Sequence, residues 1–208
     1  MRAALFDLDG VLVDTEGLYT EFWAEIGRRY CIPDPDFAIN IKGNNLDRIL
    51  SGYFLPETHS DIVARLDAFQ SAMPYAFFDG AVRLIGEIRD AGWKCALVTS
   101  SDRRKMESLY LALPELREMM DAIVTGDMVK KSKPDPEGYL LGARLVGVEP
   151  RQCVVFEDSY AGLEAGRAAG AHVVALATTN AHTSLIGKAD IVFDSIAGIT
   201  VDKLQMLF

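Results

Sequence analysis

Two aspartates near the start of the chain, Asp7 and Asp9, have a spacing that could support chemistry at the end of a strand. The residues before them, 2–6, are mostly apolar and Gly10 follows, which predicts a short buried strand that ends in a turn. Since residues two apart in extended backbone point the same way, both carboxylates should crowd the carboxyl edge of a sheet, where open α/β folds bind ligands. A divalent cation such as Mg²⁺ would relieve that crowding. A plain strand that ends in an Asp-Gly turn is the alternative interpretation.

Polar clusters also interrupt the apolar runs later in the chain. They are Thr99-Ser100 after the run 94–98, Glu157-Asp158 after the run 153–156, and Lys133 in the segment between these two runs. Because the carboxyl ends of parallel strands meet at one edge of a sheet, these residues should converge on Asp7 and Asp9. The convergence favours a functional site over an isolated turn.

The converging residue types suit the binding of a phosphoryl group. Together with the first aspartate, Asp158 and Glu157 can supply oxygen ligands for Mg²⁺. The Thr99 hydroxyl and the Ser100 N–H can hold phosphoryl oxygens at the start of the next helix. Lys133 can add a fixed positive charge beside the same oxygens. The sequence therefore predicts a magnesium-dependent phosphoryl-transfer site.

The two N-terminal aspartates fit complementary chemical roles in that site. The Asp7 carboxylate, next to a metal-bound phosphoryl group, can act as a nucleophile and form an acyl phosphate. Asp9 is placed to protonate the leaving oxygen and then to activate water. This pairing predicts a covalent aspartyl-phosphate route.

The elements that position these residues follow two patterns. Residues 15–78 carry apolar stripes at helical spacing without a convincing strand, and Thr15 is expected to cap the first helix. From Gly80 onward, short apolar runs alternate with helical stretches, which predicts a parallel sheet with helices on both faces. The sequence thus predicts a doubly wound α/β core, residues 1–14 and 79–208, with a small all-helical unit, 15–78, inserted after the first strand.

Composition narrows the class of protein. The 208 residues are 50% hydrophobic and carry 30 acidic against 21 basic residues, a formal charge of -9. This balance argues against a nucleic-acid partner and against a basic membrane-binding surface. No apolar run approaches membrane-spanning length and no basic-then-apolar leader is present, so we expect a soluble, cytoplasmic protein. A monomer is the default expectation for an enzyme of this size with such an insert. Two of the three cysteines, Cys95 and Cys153, lie in strand-like runs and should be core thiols.

The polar clusters resemble the four signature motifs of the haloacid dehalogenase (HAD) superfamily, in the same order along the chain. The matching stretches are Asp7-Leu8-Asp9-Gly10-Val11-Leu12, Val98-Thr99-Ser100, Lys133-Pro134 and Glu157-Asp158-Ser159. The Asp-x-Asp form is that of the phosphotransferases of the superfamily. The helical insert after the first motif resembles the small cap of the β-phosphoglucomutase-like subgroup. The resemblance implies a Rossmann-like HAD core with a helical cap, and it covers the whole chain.

The resemblance also implies a role for each motif residue. Asp7 would be the nucleophile and a metal ligand, and Asp9 the general acid/base that gives the metal its backbone carbonyl. Phosphate binding would fall to Thr99, Ser100 and Lys133, and the metal side to Glu157 and Asp158. Mg²⁺ would be the cofactor and a small phosphorylated metabolite, such as a sugar or polyol phosphate, the substrate.

Two positions in the predicted cap separate a phosphatase from a phosphomutase. Mutases of the subgroup resembled here have a His where Tyr19 stands and an Arg where Leu46 stands. Both absences remove groups that help to hold a bisphosphate intermediate, so we expect a phosphatase, with a β-phosphoglucomutase-type isomerase as the alternative. A non-catalytic phosphate-binding protein is a further alternative, although every catalytic position is filled.

Cap residues that could reach the substrate are harder to assign. Lys42-Gly43 matches a cap loop of the subgroup, and Asn44 after it is either part of that loop or a plain turn. Tyr19 either packs in the cap or faces the cleft. The basic run 103–105 is expected to be a solvated helix start, since positive charge is unfavourable at a helix N-terminus.

Overall fold

The computed structural model describes residues 1–42 and 44–208 and is built on a parallel sheet whose central strands carry the predicted site. Its strands are β1 (Ala3–Phe6), β2 (Lys94–Val98), β3 (Ala122–Val124), β4 (Cys153–Glu157), β5 (His172–Leu176) and β6 (Ile191–Phe193). Their order is β3-β2-β1-β4-β5-β6, and every pairing is parallel. The predicted α/β class and parallel sheet are confirmed.

Helices cover both faces of the sheet and fill the region between β1 and β2. They are α1 (Glu16–Arg29), α2 (Phe37–Asn40), α3 (Leu46–Tyr53), α4 (His59–Ser71), α5 (Ala81–Asp90), α6 (Arg103–Ala112), α7 (Glu115–Met119), α8 (Glu137–Leu145), α9 (Tyr160–Ala168), α10 (His182–Leu185) and α11 (Val201–Gln205). None of the helices in the described part of the chain combines the length and apolarity needed to cross a bilayer.

Alternate residues of the central strand explain the two covered faces. Ala4 and Phe6 belong to one hydrophobic cluster, and Ala3 and Leu5 belong to another on the opposite face. All four side chains are essentially without solvent exposure. A strand buried on both sides is an uninterrupted apolar run, which is the pattern that the sequence shows.

A third hydrophobic cluster lies apart from the sheet, among the helices α1 to α4. Its buried members include Trp23, Phe37, Ile49 and Ile62. Since a separate hydrophobic core is the mark of a separate folding unit, we propose that residues 15–78 form a cap domain on a core of residues 1–14 and 79–208. The short helix α2 was not predicted, because four residues are too few to show a periodicity.

The start of α1 differs from expectation in one respect. Thr15 occupies the N-cap position but makes no capping hydrogen bond to the helix. Its hydroxyl instead donates to the carboxylate of Asp9. Thr15 is fully buried, so the fold uses this side chain to tie the cap entry to the predicted site.

The register of the strands brings the predicted site residues to the same edge of the sheet. Phe6, the last residue of β1, pairs with Leu97 of β2 on one side and with Phe156 of β4 on the other. The polar residues after each strand therefore emerge side by side at the carboxyl edge. Gly10 then turns the chain with a φ of 75°, and an added Cβ there would lie 2.1 Å from the Asp158 carboxylate oxygen. Only glycine fits so close to the site.

Candidate active site

Three carboxylates cluster at the carboxyl edge of the sheet. One oxygen from each of Asp7, Glu157 and Asp158 lies within 4.8 Å of the other two. Burial raises the pKa of Asp7 to about 7, and Glu157 adds to the rise while Lys133 opposes it. Burial, followed by the charges of Glu157 and other nearby carboxylates, also raises the pKa of Asp158 well above its usual value. Buried carboxylates that crowd one another in this way fit a hard divalent cation.

Asp9 does not belong to that cluster, although the strand spacing predicted that its carboxylate would crowd that of Asp7. Oδ1 of Asp9 accepts from the Thr15 hydroxyl, and Oδ2 accepts from Ser101 Oγ at 3.2 Å and from Lys105 Nζ. The side chain is separated because strand β1 ends at Phe6 and the chain is already turning at Asp9. The two aspartates are thus held by different partners.

Lys133 bridges two carboxylates of the site, those of Asp7 and Glu157. Its ammonium lies 2.6 Å from Asp7 Oδ1, 2.6 Å from Glu157 Oε1 and 3.3 Å from the Val98 carbonyl oxygen. Lys133 is 6% exposed. Burial lowers the pKa of its ammonium, but the two carboxylates outweigh that effect and leave the pKa above its usual value. The lysine is therefore a fixed positive charge, as predicted.

Glu157 is held by five donors. Its Oε1 accepts from Lys133 and from the Tyr139 hydroxyl at 2.8 Å. Its Oε2 accepts from the N–H groups of Asp158 and Ser159 and from the Ser159 hydroxyl, at 3.0 to 3.1 Å. Although burial is the largest influence, these partners lower the pKa of Glu157 below its usual value. A Cβ on Gly162 would fall 1.7 Å from Oε1, so that position has room for hydrogen alone.

Thr99 and Ser100 follow β2, the strand that pairs with β1. Both line the same cavity as Asp7 and Lys133, and Thr99 is almost completely buried. The Ser101 N–H donates to Thr99 Oγ1 at 3.0 Å, which fixes the turn after β2. The structure therefore brings together all the core residues that the sequence predicts for the site.

Lys105 is a site residue that the sequence interpretation missed. It is 4% exposed, contacts the Asp9 carboxylate, and lies 4.2 Å from the centre of the Tyr19 ring. The expectation of a solvated run is correct for Arg103 and Arg104, which are exposed, and wrong for Lys105. Helical spacing could have identified it, because Lys105 lies on the same face of α6 as the buried Leu109, four residues further on.

The predicted cap residues complete the wall of the cavity, which holds about 130 Å³ of space open to water. Tyr19, Lys42 and Asn44 all line it, whereas Gly43 lies outside the described residues. Tyr19 accepts a hydrogen bond from Gln70 Nε2 at 3.1 Å. Leu46 also lines the cavity. Tyr19 and Leu46, the two positions expected to separate a phosphatase from a mutase, thus both line the cleft.

Comparisons with known proteins agree with this geometry. The family model for haloacid dehalogenase-like hydrolases matches residues 1–170. Hexitol phosphatase A of Escherichia coli (strain K12) is 34% identical over 211 residues, covering 97% of this chain and 94% of that protein.

Solved structures match across the whole fold. A mutant form of CbbY from Rhodobacter sphaeroides, in complex with xylulose-(1,5)bisphosphate, has a TM-score of 0.77 and 28% identity, covering 95% of this chain and 96% of that one. The β-phosphoglucomutase of Clostridium difficile has a TM-score of 0.80 at 24% identity, covering 100% and 96%, which shows a shared fold alone.

Proposed function

Since this chain belongs to the haloacid dehalogenase-like hydrolases and is a phosphoric monoester hydrolase, we propose that it removes phosphate from a small sugar or polyol phosphate through an aspartyl-phosphate intermediate on Asp7, with Mg²⁺ as cofactor. The observation that carries the proposal is the Asp7 carboxylate, which lies 2.6 Å from Lys133, borders an acidic cluster and opens onto a cavity. The similarity to a hexitol phosphatase supports the substrate class.

In the first step an Asp7 oxygen attacks phosphorus, and the bond from phosphorus to the leaving oxygen breaks. Asp9 enters this step protonated, gives that proton to the leaving oxygen and becomes the carboxylate that pairs with Lys105. In the second step Asp9 takes a proton from water as the water oxygen bonds to phosphorus, which releases phosphate and restores the Asp7 carboxylate. Lys133, Thr99 and the Ser100 N–H hold the phosphoryl oxygens throughout.

The residues present fit a magnesium ion. Asp7 and Asp158 would be direct carboxylate ligands and Asp9 would offer its backbone carbonyl. Glu157 belongs to the same cluster, but its oxygens are already occupied by five donors, so its main effect would be to orient Lys133 and Asp158. When bound, the ion would neutralise charge on the phosphoryl group.

The cap side chains that line the cavity favour hydrolysis over phosphomutase chemistry. Tyr19 stands in the cleft beside Lys105 and carries no positive charge to the leaving group, and Leu46 is apolar. A mutase must hold a bisphosphate intermediate while it turns over, which calls for additional cations. A sugar phosphomutase therefore stays the second candidate, and a binding protein without activity the third.

Chelation of divalent ions should abolish turnover reversibly. We expect the purified protein to release inorganic phosphate from one or a few members of a panel of hexitol, hexose and glycerol phosphates when Mg²⁺ is present. Excess EDTA should reduce the rate at least ~100-fold, because without the cation the phosphoryl charge is not neutralised. A phosphate assay before and after restoring Mg²⁺ is the measurement. Undiminished release in EDTA, or no release from any member, would refute the proposal.

Loss of the Lys105 charge should slow turnover. Lys105 holds Asp9, so Lys105→Met is expected to lower kcat by roughly 10- to 100-fold, since a misplaced acid/base group loses part of its contribution. KM should change less, and Lys105→Arg should recover part of the rate. Arg103→Met, an exposed change in the same helix, is the control. Equal effects of the two methionine variants would show that Lys105 does not position Asp9.

The remaining partners and setting are also proposals. We infer a cytoplasmic monomer that acts on small metabolites, without nucleic-acid or membrane partners. The formal charge of -9 argues against a nucleic-acid partner and against binding to an anionic membrane surface. Light scattering of the purified protein during gel filtration would measure the oligomeric state directly.

A further inference from the structure

We propose that an ion pair in the cap, Glu16 with Lys42, restricts the site to monophosphates whose leaving group is uncharged and rich in hydroxyls, and disfavours substrates with a second phosphate or carboxylate. This inference rests on the proposed function and deepens it. It assigns a specificity role to two residues that take no part in the phosphoryl-transfer steps.

The pair lies in the wall of the cavity and is held in place. Lys42 Nζ lies 2.9 Å from Glu16 Oε2, and both side chains are less than one-fifth exposed. Both residues line the cavity, Glu16 from the first turn of α1 and Lys42 from the segment before α3. Glu16 also packs on the turn after β1, since its Cγ lies 3.0 Å from where a Cβ on Gly10 would stand. Glu16 therefore contacts both Lys42 and the turn that follows β1.

Every cation that lines the described cavity wall has a carboxylate partner. Lys42 is paired with Glu16, Lys105 with Asp9, and Lys133 with Asp7 and Glu157. The described wall contains no further lysine and no arginine.

Arg48, which contacts the backbone of Lys133, does not alter this balance. Arg48 is exposed, donates to the Lys133 carbonyl oxygen at 3.2 Å, and lines an outer groove rather than the cavity. Lys133 is engaged with the transferred phosphoryl group, so a second anionic group on a substrate would meet only Lys42 and Lys105, whose charges Glu16 and Asp9 already offset. It would leave water without a free cation to replace its hydration.

The cap side of the cavity also offers neutral partners. Tyr19, Thr20, Asn44 and Gln70 supply hydroxyl and amide groups, and apolar side chains such as Trp23 lie between them. Such groups can hydrogen-bond to hydroxyls at modest cost. The related CbbY structure contains a bisphosphate, so similarity alone would not predict this preference.

The test compares matched substrates that differ by one phosphate, such as fructose 6-phosphate with fructose 1,6-bisphosphate and sorbitol 6-phosphate with sorbitol 1,6-bisphosphate. We expect the natural protein to favour the monophosphate by at least about tenfold in kcat/KM, because like charges placed together disfavour binding. Glu16→Gln leaves Lys42 unpaired and should reduce that preference by roughly tenfold through better use of the bisphosphate. The combined variant Glu16→Gln, Lys42→Gln should lose the gain.

Glu21→Gln, an exposed change on the same helix, should leave the ratio unchanged. If Glu16→Gln turns over too slowly, calorimetric binding of each substrate pair to Asp7→Asn, with and without Glu16→Gln, gives the same comparison. Equal use of both substrates by the natural protein, or an unchanged ratio in Glu16→Gln, would overturn the inference while leaving the phosphatase intact. Absence of phosphate release from all substrates would overturn the proposed function itself.

Discussion

Replacing Asp7 by Asn is expected to abolish phosphate release while the protein stays folded. The amide keeps the size of the side chain but cannot attack phosphorus, so no aspartyl phosphate forms. Loss of a nucleophile lowers kcat by at least ~1000-fold in comparable cases. Folding should survive because the change also removes one charge from a buried cluster of three carboxylates. Steady-state phosphate release and a thermal melt measure the two effects.

Asp90→Asn is the matched control for this variant. Asp90 is an exposed residue at the end of α5, away from the cavity, so its change to Asn should alter neither rate nor stability. Mass spectrometry of acid-quenched protein should find one phosphoryl group on the peptide with Asp7, and none in Asp7→Asn. Phosphate release by Asp7→Asn at more than a few per cent of the original rate would assign the nucleophile to another residue.

Replacing Lys133 by Met should damage both stability and activity. The ammonium partners two carboxylates, one of which, Glu157, is fully buried. Removing one member of a buried ion pair leaves an uncompensated charge and costs about 3–5 kcal/mol in free energy of unfolding. For a chain of this size that corresponds to a fall in Tm of roughly 6–20 °C. Turnover should fall at least ~100-fold, because the phosphoryl oxygens lose a fixed charge.

A double variant separates the two effects. In Lys133→Met, Glu157→Gln, the buried charge is gone from both partners, so the melting temperature should recover by at least about half of the loss. Turnover should not recover, because the phosphoryl group still lacks its lysine. Lys130→Met, an exposed change in the same loop, is the control. If the second substitution restored activity, or if Lys133→Met melted like the natural protein, the buried pair would not have the role described.

The strand ends could be predicted from the sequence because their geometry is local. Residues 3–6 and 153–156 are uninterrupted apolar runs, which is the pattern expected of a strand buried on both faces. Parallel pairing then requires the residues that follow, Asp7 and Asp158 among them, to emerge at one edge. Three of the four predicted site segments lie directly after such strands. The structure therefore confirms the α/β class and the convergence of these residues.

Other features of the site depend on tertiary contacts that spacing does not encode. Lys105 faces the cavity because of how α6 packs. Its neighbours Arg103 and Arg104 are also basic, so the sequence predicts one solvated run of three residues. The Thr15 hydroxyl could hydrogen-bond either to the helix N–H groups or to Asp9. The packing of the chain brings it to Asp9. The Glu16–Lys42 pair joins two segments of the cap across the cavity wall. In each case the sequence alone does not show that the two side chains lie close together.

Phosphorus NMR of the products from the best monophosphate substrate tests the central claim most directly. The reaction would contain Mg²⁺, with and without a trace of the corresponding bisphosphate. We predict inorganic phosphate as the only phosphorus-containing product, in equal amount to the alcohol formed and at a rate that the bisphosphate does not raise. An isomeric sugar phosphate that accumulates without inorganic phosphate, and only when the bisphosphate is present, would make the protein a phosphomutase and contradict the account.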